Sequence, residues 1–292
     1  MYKSGFVNIL GNPNVGKSSL LNALLGEKLC ITSPKVQTTR HRIKAFYTTD
    51  EVQIIFSDTP GILNPKYKMH ECMLEAINEA FEDADILVYL TSMEENPQHI
   101  VLPEQLATIH IPWMIVLNKI DLSTSQEQVT ALMEQWKKIL PNVDIIPVSA
   151  TFNFNLDTLL QHIIELLPEH PPYFETDELS DRNIRFFISE LIREKIFNYY
   201  QQEIPYSSEV VITDFLEEED LVKIYATIYV ARESQKMILI GERGKAIKNV
   251  GIKAREDIES FLSKKVYLDL RVKVLKNWRN DAKLLKKLGY IK

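Results

Sequence analysis

The fold of the first half of this chain is decided by one stretch of sequence, Gly11-Asn12-Pro13-Asn14-Val15-Gly16-Lys17-Ser18. A short apolar run, residues 6–10, precedes it, and an amphipathic run, residues 19–25, follows it. Strand, glycine-containing loop and helix form the context in which the pattern G-x-x-x-x-G-K-[ST] binds phosphate, because loop N–H groups and the positive end of the helix face the anion. We therefore expect Lys17 to reach the β- and γ-phosphates of a nucleotide and the Ser18 hydroxyl to hold Mg²⁺.

Length and composition are those of an ordinary globular protein. The 292 residues suggest two domains, and 45% hydrophobic with 25% charged residues is a typical balance. No apolar run approaches the ~20 residues of a membrane span, and residues 1–10 lack the layout of a secretory signal. Cys30 and Cys72 have no metal-like spacing, so we expect reduced thiols in a cytoplasmic protein.

Charge is distributed unevenly along the chain. The formal net charge of −6 combines −8 over residues 1–172, −7 over residues 173–240 and +9 over residues 241–292. An acidic protein with a basic last fifth is expected to meet a polyanionic partner at its C-terminal end.

Residues 30–47 are polar at their centre and lack periodicity, which predicts a flexible loop. In nucleotide switches such a loop supplies a threonine hydroxyl to Mg²⁺ when the γ-phosphate is present. Thr38 and Thr39 are both candidates; the sequence alone does not choose between them, and we favour Thr39.

A second apolar run, residues 52–57, ends in Asp58-Thr59-Pro60-Gly61. A carboxylate at a strand end, three residues before a glycine, suits a Mg²⁺-bound water and a backbone N–H on the γ-phosphate. Ile62 follows where related switches carry a water-orienting glutamine, so we expect slow hydrolysis. The side-chain carbonyl of Asn14 would hold K⁺ near the oxygen that bridges the β- and γ-phosphates. In the alternative, Asn14 only shapes the loop.

The run of residues 113–117 leads into Asn118-Lys119-Ile120-Asp121. The Asp121 carboxylate can accept from two N–H groups of guanine, a pair that adenine lacks, so ATP would be rejected. Asn118 is expected to contact the base and brace the phosphate loop, and the Lys119 stem to lie along the ring. After the last apolar run, residues 144–148, come Ser149 and Ala150, whose N–H is placed to meet the guanine oxygen.

These runs alternate with helical patterns at residues 67–84, 126–140 and 156–167. Such alternation predicts an α/β domain with a largely parallel sheet covered on both faces. The residues expected to bind nucleotide are Gly11, Asn12, Pro13, Asn14, Val15, Gly16, Lys17, Ser18, Ser19, Asp58, Thr59, Pro60, Gly61, Ile62, Asn118, Lys119, Asp121, Ser149 and Ala150. Among these and the switch loop, Lys17, Thr39 and Gly61 would act on the transferred phosphate, and Ser18, Thr39 and Asp58 would hold the metal.

The set GNPNVGKS, QTTR, DTPG, NKID and SA resembles the translation-factor class of P-loop GTPases, and closely resembles the Era family within it. The resemblance implies GTP or GDP with Mg²⁺ as ligands and GTP hydrolysis as the activity.

Residues 168–172, PEHPP, break the helical pattern and suggest a stiff linker. A helical pattern at 183–200 and β-like runs at 207–217 and 221–232 come next, followed by Ile240 to Ile247, a helix to about residue 262 and a strand at 266–274. We therefore divide the chain into a GTPase domain at 1–170, a linker at 171–178 and a second domain at 179–292.

The glycines of Ile240-Gly241-Glu242-Arg243-Gly244 stand before a basic helix and resemble the signature of an α+β, type II KH domain. Such a loop clamps the backbone of about four unpaired nucleotides. The residues expected to bind RNA are Ile240, Gly241, Arg243, Gly244, Lys245, Ile247 and Lys248. Glu242 departs from this chemistry, because a carboxylate repels phosphate.

Basic residues of 271–292 would form either a solvated helical face or an extension of the RNA surface, and Trp278 is expected to pack rather than stack on a base. Across the whole chain, the resemblance to Era implies binding to the 3′ end of small-subunit ribosomal RNA, a role in small ribosomal subunit assembly, and for some members peripheral association with the inner membrane. We expect a monomer. The alternative function is a regulatory GTPase whose C-terminal domain binds a protein or a membrane.

Overall fold

The computed structural model describes residues 1–291, and the chain divides into two compact units. The first unit comprises residues 1–30, 39–64 and 73–181; the second comprises residues 31–38 and 65–72 together with the chain from residue 182 onward. Two short segments of the first half of the sequence therefore belong to the second unit.

The first unit contains a six-stranded sheet in the order β2-β3-β1-β4-β5-β6. The strands are β1 (Lys3–Gly11), β2 (Ile43–Thr48), β3 (Val52–Asp58), β4 (Ile86–Ser92), β5 (Trp113–Asn118) and β6 (Asp144–Pro147). Every neighbouring pair is parallel except β2 with β3, which is antiparallel. The helices are α1 (Lys17–Leu25), α2 (Lys68–Glu82), α3 (Gln126–Ile139) and α4 (Leu156–Leu166).

Successive side chains of a strand point to opposite faces of the sheet. Because all the side chains of the central strands β3 and β4 are buried, both faces of this sheet must be covered. Tyr89 of β4 and Ile115 of β5 form one apolar cluster with Ile77 of α2 and Trp136 of α3. On the other side of the unit, α1 contacts α4 and β3. The predicted α/β arrangement is confirmed.

Strand β2 was not predicted, since residues 30–47 were assigned to a flexible loop, and that assignment is wrong for Ile43–Thr48. The run is short and begins after six polar residues, 37–42, so its sequence has too few alternations to indicate a strand. The outer edge of β2 pairs with residues 179–181. The Phe46 N–H donates to the Leu179 carbonyl at 3.0 Å, and the Asp181 N–H donates to the Lys44 carbonyl at 3.2 Å. This pairing satisfies backbone groups that an open sheet edge would expose.

The stretch predicted as a linker packs on the first unit. Phe174 stacks on Phe46 with ring centroids 4.1 Å apart, and Gln53 Oε1 accepts the N–H groups of Tyr173 at 2.7 Å and Phe174 at 3.0 Å. These contacts place residues 173–181 against β2 and β3 rather than in solvent.

The second unit contains a three-stranded sheet in the order β7-β8-β9, with β7 antiparallel and β9 parallel to β8. Its elements are α5 (Ile184–Tyr199), α6 (Ile204–Ser207), β7 (Ser208–Glu217), β8 (Leu221–Val230), α7 (Glu233–Ile240), α8 (Lys245–Leu262), β9 (Lys265–Val274) and α9 (Ala282–Lys287). Apolar residues four apart on α5 and α8, such as Ile188 with Ile192 and Ala254 with Ile258, form one core with Ile224 of β8. The predicted α+β order is confirmed.

Helix α7 was not predicted, because the β-like run was extended to residue 232 and the next signal was the Gly241–Gly244 pair. The helix has only eight residues, and the Gln235 side chain stabilises its start by accepting the N–H groups of Ala231 and Arg232, each at 3.0 Å.

Trp278 packs as expected: it is fully buried, and its Nε1 donates to the Ser207 carbonyl at 3.1 Å. Within residues 1–291, no helix combines the length and apolar character needed to cross a bilayer.

Candidate functional site

The loop between β1 and α1 brings backbone N–H groups to the start of a helix. Gly16 caps α1 with φ of 99°, and a Cβ at this position would lie 2.4 Å from Asn118 Nδ2. Residue 16 must therefore be glycine for both its backbone angle and its closeness to the base-reading loop. Of the other predicted loop residues, Val15 is buried, Asn14 is exposed, and the half-buried ones are Asn12, Pro13, Ser18 and Ser19.

Lys17 is buried beneath this loop. Its Nζ donates to the carbonyl oxygens of Gly11 and Asn12, each at 2.9 Å. Burial lowers the pKa of Lys17 to about 8, against the attraction of Asp58 and Glu95, which raises it. The two loop carbonyls hold the ammonium in place, and a phosphate bound by the loop could replace them as its partner.

Three oxygen-bearing side chains expected at the metal converge. Ser18 Oγ donates to Asp58 Oδ2 at 2.6 Å, Thr39 Oγ1 donates to the same oxygen at 3.1 Å, and the two hydroxyl oxygens are 2.9 Å apart. The Thr38 hydroxyl instead donates to the Lys35 carbonyl at 2.6 Å. The structure therefore brings Thr39, and not Thr38, to Asp58.

Asp58 provides a test of whether Mg²⁺ fits here. Its Oδ1 is buried and has no hydrogen-bond partner among the residues that the structure describes. Burial raises the pKa of Asp58, opposed by the Ser18 hydrogen bond and the Lys17 charge. A buried carboxylate oxygen beside two hydroxyls matches the hard oxygen donors that Mg²⁺ prefers. These residues fit the ion.

The segment after β3 is fixed against the phosphate loop. Ile62 donates its N–H to the Gly11 carbonyl at 3.2 Å, and a Cβ on Gly61 would lie 2.8 Å from Pro13 Cα. The Ile62 side chain packs on the apolar cluster that contains Ile77. The buried Thr59 and Pro60 precede this contact.

Asn118 joins the base-reading loop to the phosphate loop. Its Nδ2 donates to the Val15 carbonyl at 2.9 Å, and its Oδ1 accepts from the Ala150 N–H at 3.1 Å. The predicted bracing of the phosphate loop is present in the structure.

Replacing Asn118 by Ala leaves a buried carbonyl at Val15 and a buried N–H at Ala150 without partners. Each unpaired group costs ~1–3 kcal/mol, so we expect the free energy of unfolding of the nucleotide-free protein to fall by about 3 kcal/mol. Urea denaturation measures this change, with Asn142→Ala, at an exposed position, as the matched control. Equal midpoints for N118A and the parent would contradict the bracing role.

The remaining base-contacting residues are held by side-chain partners. Ser149 Oγ donates to Asp121 Oδ1 at 2.5 Å, which orients the exposed carboxylate. Lys119 has φ of 60°, and its Nζ lies 2.5 Å from Glu94 Oε2. Asp121 is thus an exposed carboxylate with one oxygen held by Ser149.

In the second unit, the glycine pair forms a tight, open turn. Gly241 has φ of 72°, Gly244 has φ of 77°, and the Gly244 N–H donates to the Gly241 carbonyl at 3.2 Å. A Cβ on Gly241 would lie 2.5 Å from the Ala246 Cβ, whereas one on Gly244 would meet nothing within 4 Å. The turn thus presents bare backbone at the start of α8.

Charged side chains surround this turn. Arg243, Lys245 and Lys248 are exposed, and Glu242 is exposed as well. The half-buried predicted residues are Ile240 and Ile247. A basic, glycine-lined turn of this kind can contact a phosphate backbone through N–H groups and cations.

The same two parts of the chain match known families. A model described as 50S ribosome-binding GTPase matches residues 6–119, and a KH domain model matches residues 203–279. GTPase Era of Alkaliphilus metalliredigens is 42% identical over 99% of this chain and 99% of its own length. The chain belongs to the Era GTPase family.

Other Era proteins agree in sequence and in structure. GTPase Era of Staphylococcus epidermidis is 41% identical over 99% of this chain and 98% of its own length. A crystal structure of Era with MgGDPNP and nucleotides 1506–1542 of 16S ribosomal RNA has a TM-score of 0.94 at 35% identity and full coverage of both chains. A variant of Aquifex aeolicus Era bound to GDP and AlF₄⁻ has a TM-score of 0.95 at 36% identity, covering 99% of this chain and 100% of its own.

Sequence reasoning missed several residues of this Era-family site. Glu95 Oε1 accepts from Asn12 Nδ2 at 2.7 Å, and its Oε2 accepts from the Thr91 hydroxyl at 2.9 Å. Glu95 follows the end of β4 by three residues, and an acidic residue near the carboxyl end of a strand, as Asp58 is in β3, was the available signal. On α7, Met237 and Ile238 are 68% and 51% exposed directly before the glycine turn, and no motif marks them.

Proposed function

We propose that this chain is a GTP-hydrolysing switch whose second unit binds single-stranded RNA at the Gly241–Gly244 turn. The relative solved with nucleotides 1506–1542 of 16S ribosomal RNA supports small-subunit ribosomal RNA as the proposed ligand. Its 3′ end as the bound segment and small-subunit assembly as the role are carried over from the family resemblance. The observation that carries the proposal is that one chain has both a braced guanine-reading carboxylate, Asp121, and an open, basic glycine turn.

The residues of the first unit would each act on one part of the nucleotide. Asp121 selects guanine, Lys17 and the loop N–H groups hold the phosphates, and the Gly61 N–H meets the γ-phosphate. Mg²⁺, held by Ser18, Thr39 and Asp58, would neutralise charge on the β- and γ-phosphates. Water is the nucleophile, and no covalent intermediate forms.

Hydrolysis without a partner is expected to be slow, on the order of 10⁻⁴–10⁻² s⁻¹. Ile62 packs on apolar side chains and has no group that could orient a water molecule. A cation near the β,γ-bridge would supply the missing charge.

The exposed Asn14, with φ of 67°, is the proposed ligand for that cation. We expect hydrolysis to be about tenfold faster in KCl than in NaCl at equal ionic strength, and Asn14→Ala to remove the difference. Steady-state phosphate release measures both rates. Equal rates of the parent protein in the two salts would show that Asn14 only shapes the loop.

We propose that the chain comprises a GTPase domain at 1–170, a linker at 171–178 and a KH domain at 179–292. The packing of residues 173–181 on β2 and β3 supports a fixed linker. Cytoplasmic location is proposed from the reduced thiols expected at Cys30 and Cys72, with peripheral membrane association carried over only from the family resemblance.

Binding of an RNA with the sequence of nucleotides 1506–1542, measured by fluorescence anisotropy with GDP and with GDPNP, tests the proposal. Saturable binding supports the RNA-binding switch, and a difference between the nucleotides supports coupling. An absence of binding with both would favour the alternative, a GTPase whose C-terminal unit binds a protein or a membrane.

A further inference from the structure

A tight turn after β4 fixes the carboxylate of Glu95. The Thr91 hydroxyl donates to Glu95 Oε2 at 2.9 Å, and the Ser92 N–H donates to the same oxygen at 3.3 Å. The Glu95 N–H donates in turn to the Ser92 carbonyl at 3.1 Å. Because Thr91 and Ser92 are buried at the end of a central strand, the carboxylate is attached to a rigid part of the sheet.

The other oxygen of Glu95 holds the side chain of Asn12 in the phosphate loop. Asn12 Nδ2 donates to Glu95 Oε1 at 2.7 Å. An ionised carboxylate only accepts hydrogen bonds, so the planar amide of Asn12 must turn its NH₂ group toward Glu95. The amide oxygen of Asn12 therefore faces away from Glu95, and the hydrogen bond holds it in that orientation.

Asn12 stands at the end of the loop where the γ-phosphate is expected. The Gly11 carbonyl accepts the Ile62 N–H at 3.2 Å, and a Cβ on Gly61 would lie 2.8 Å from Pro13 Cα. The residues on both sides of Asn12 therefore contact the segment that the γ-phosphate would meet.

The opposite end of the loop is marked by the base-reading residues. Asn118 Nδ2 donates to the Val15 carbonyl at 2.9 Å. Lys17 Nζ, which would reach the β- and γ-phosphates, donates instead to the Asn12 carbonyl at 2.9 Å. The loop thus runs from the γ-phosphate end at Asn12 toward the base-reading end at Val15.

The hydrolysis proposed for this site needs a group that orients water. The water oxygen bonds to the γ-phosphorus, and the bond from that phosphorus to the bridging oxygen breaks with its electron pair left on GDP. Both hydrogens of the water end on the released phosphate. A side-chain amide can orient this water by accepting a hydrogen bond, without taking a proton. Ile62 cannot do so, because its side chain is apolar and packs in the core.

We propose that Asn12 orients the attacking water through its amide oxygen, and that Glu95 is the positioning residue that holds Asn12. This inference rests on the proposed GTP hydrolysis in the first unit. The phosphate loop then supplies the amide that the position of Ile62 lacks. Because the contact is made to the water, it contributes to turnover and not to nucleotide affinity.

The first test is single-turnover GTP hydrolysis by Asn12→Ala with Mg²⁺ and KCl, without RNA. We expect the rate to fall about fivefold to tenfold, the effect of one hydrogen bond in the transition state. The affinities of GDPNP and GDP, measured with fluorescent derivatives, should stay within about twofold of the parent values. Asn142→Ala makes the same change at an exposed position and should hydrolyse GTP like the parent.

The second test asks whether Glu95 acts through Asn12. Glu95→Ala removes the acceptor and should lower the rate about threefold to fivefold, whereas Glu95→Gln keeps an oxygen that can accept from Asn12 and should restore most of it. The double variant Asn12→Ala/Glu95→Ala should be no slower than Asn12→Ala. Glu104→Ala, at an exposed position, is the matched control. Thermal denaturation of each variant checks that the fold is retained.

Slower hydrolysis in both single variants, without further loss in the double variant and at unchanged nucleotide affinity, supports the proposal. Parental or faster hydrolysis by Asn12→Ala overturns it, because the side chain would then be unnecessary or would obstruct the water. Additive losses in the double variant would overturn the positioning role of Glu95. A parent protein that does not hydrolyse GTP would refute the proposed function, whereas parental turnover in Asn12→Ala refutes this inference alone.

Discussion

Asp121→Asn should lower GTP affinity by about 100-fold or more and create affinity for xanthosine triphosphate. The carboxylate can accept from both the N1–H and the exocyclic amino group of guanine, and each hydrogen bond to a charged group contributes ~1.5–3 kcal/mol. The amide of asparagine keeps one acceptor but points an N–H₂ group at the guanine amino group. Loss of about 3 kcal/mol corresponds to a factor of roughly 150 in affinity.

Xanthine provides the positive test of the same geometry. It retains the N1–H donor and carries a carbonyl oxygen where guanine has the amino group, so the donor and acceptor of asparagine both find partners. Ser149, which holds Asp121 in the parent through a 2.5 Å hydrogen bond, remains able to bond the amide oxygen. Isothermal titration of Asp121→Asn and the parent with GTP and with xanthosine triphosphate measures the change in the ratio of the two affinities.

A matched control is Asp157→Asn, which makes the same chemical change at an exposed position in the first turn of α4. This variant should bind GTP like the parent. If Asp121→Asn also bound GTP with parental affinity, the base would be read by other residues, and the assignment of residues 118–121 would be wrong.

Gly244→Asp should weaken RNA binding by on the order of 100-fold while leaving GTP hydrolysis unchanged. A Cβ at residue 244 meets nothing within 4 Å, so the side chain can be accommodated in the folded unit. Its carboxylate would stand beside the exposed cations Arg243 and Lys245, where it cancels positive charge and repels the phosphates of a bound strand.

Two variants separate the charge from the backbone strain. Gly244→Asn imposes the same left-handed backbone with an uncharged side chain, and we expect it to weaken RNA binding only about fivefold. Gly289→Asp is the matched control, because Gly289 has φ of 81° and also has no atom within 4 Å of an added Cβ. Fluorescence anisotropy at a fixed salt concentration compares all three with the parent.

The pattern of outcomes identifies the RNA surface. A large loss of affinity in Gly244→Asp, a small loss in Gly244→Asn and none in Gly289→Asp support the glycine turn. A loss in Gly289→Asp equal to that in Gly244→Asp would assign the binding to the basic tail. Parental affinity in Gly244→Asp would contradict the turn as the RNA site.

Local sequence determined the chemistry of the nucleotide site. The phosphate loop, the Asp58 and Asp121 motifs and the glycine turn could be recognised because each needs a few adjacent residues of defined type at a strand or helix end. The alternation of apolar runs with helical patterns likewise determined the class of each fold, since burial on both sheet faces requires continuous apolar strands.

Tertiary structure decided what depends on partners distant in sequence. Whether Thr38 or Thr39 reaches Asp58, that β2 pairs with residues 179–181, and that Glu95 supports the phosphate loop all follow from contacts that no local pattern encodes. The assignment of residues 31–38 to the second unit is the clearest case, because the Thr38 carbonyl accepts from Arg193, 155 residues further along the chain. A short polar loop has many possible partners, and only the packed chain selects the one whose hydrogen bonds outweigh the entropy of ordering it.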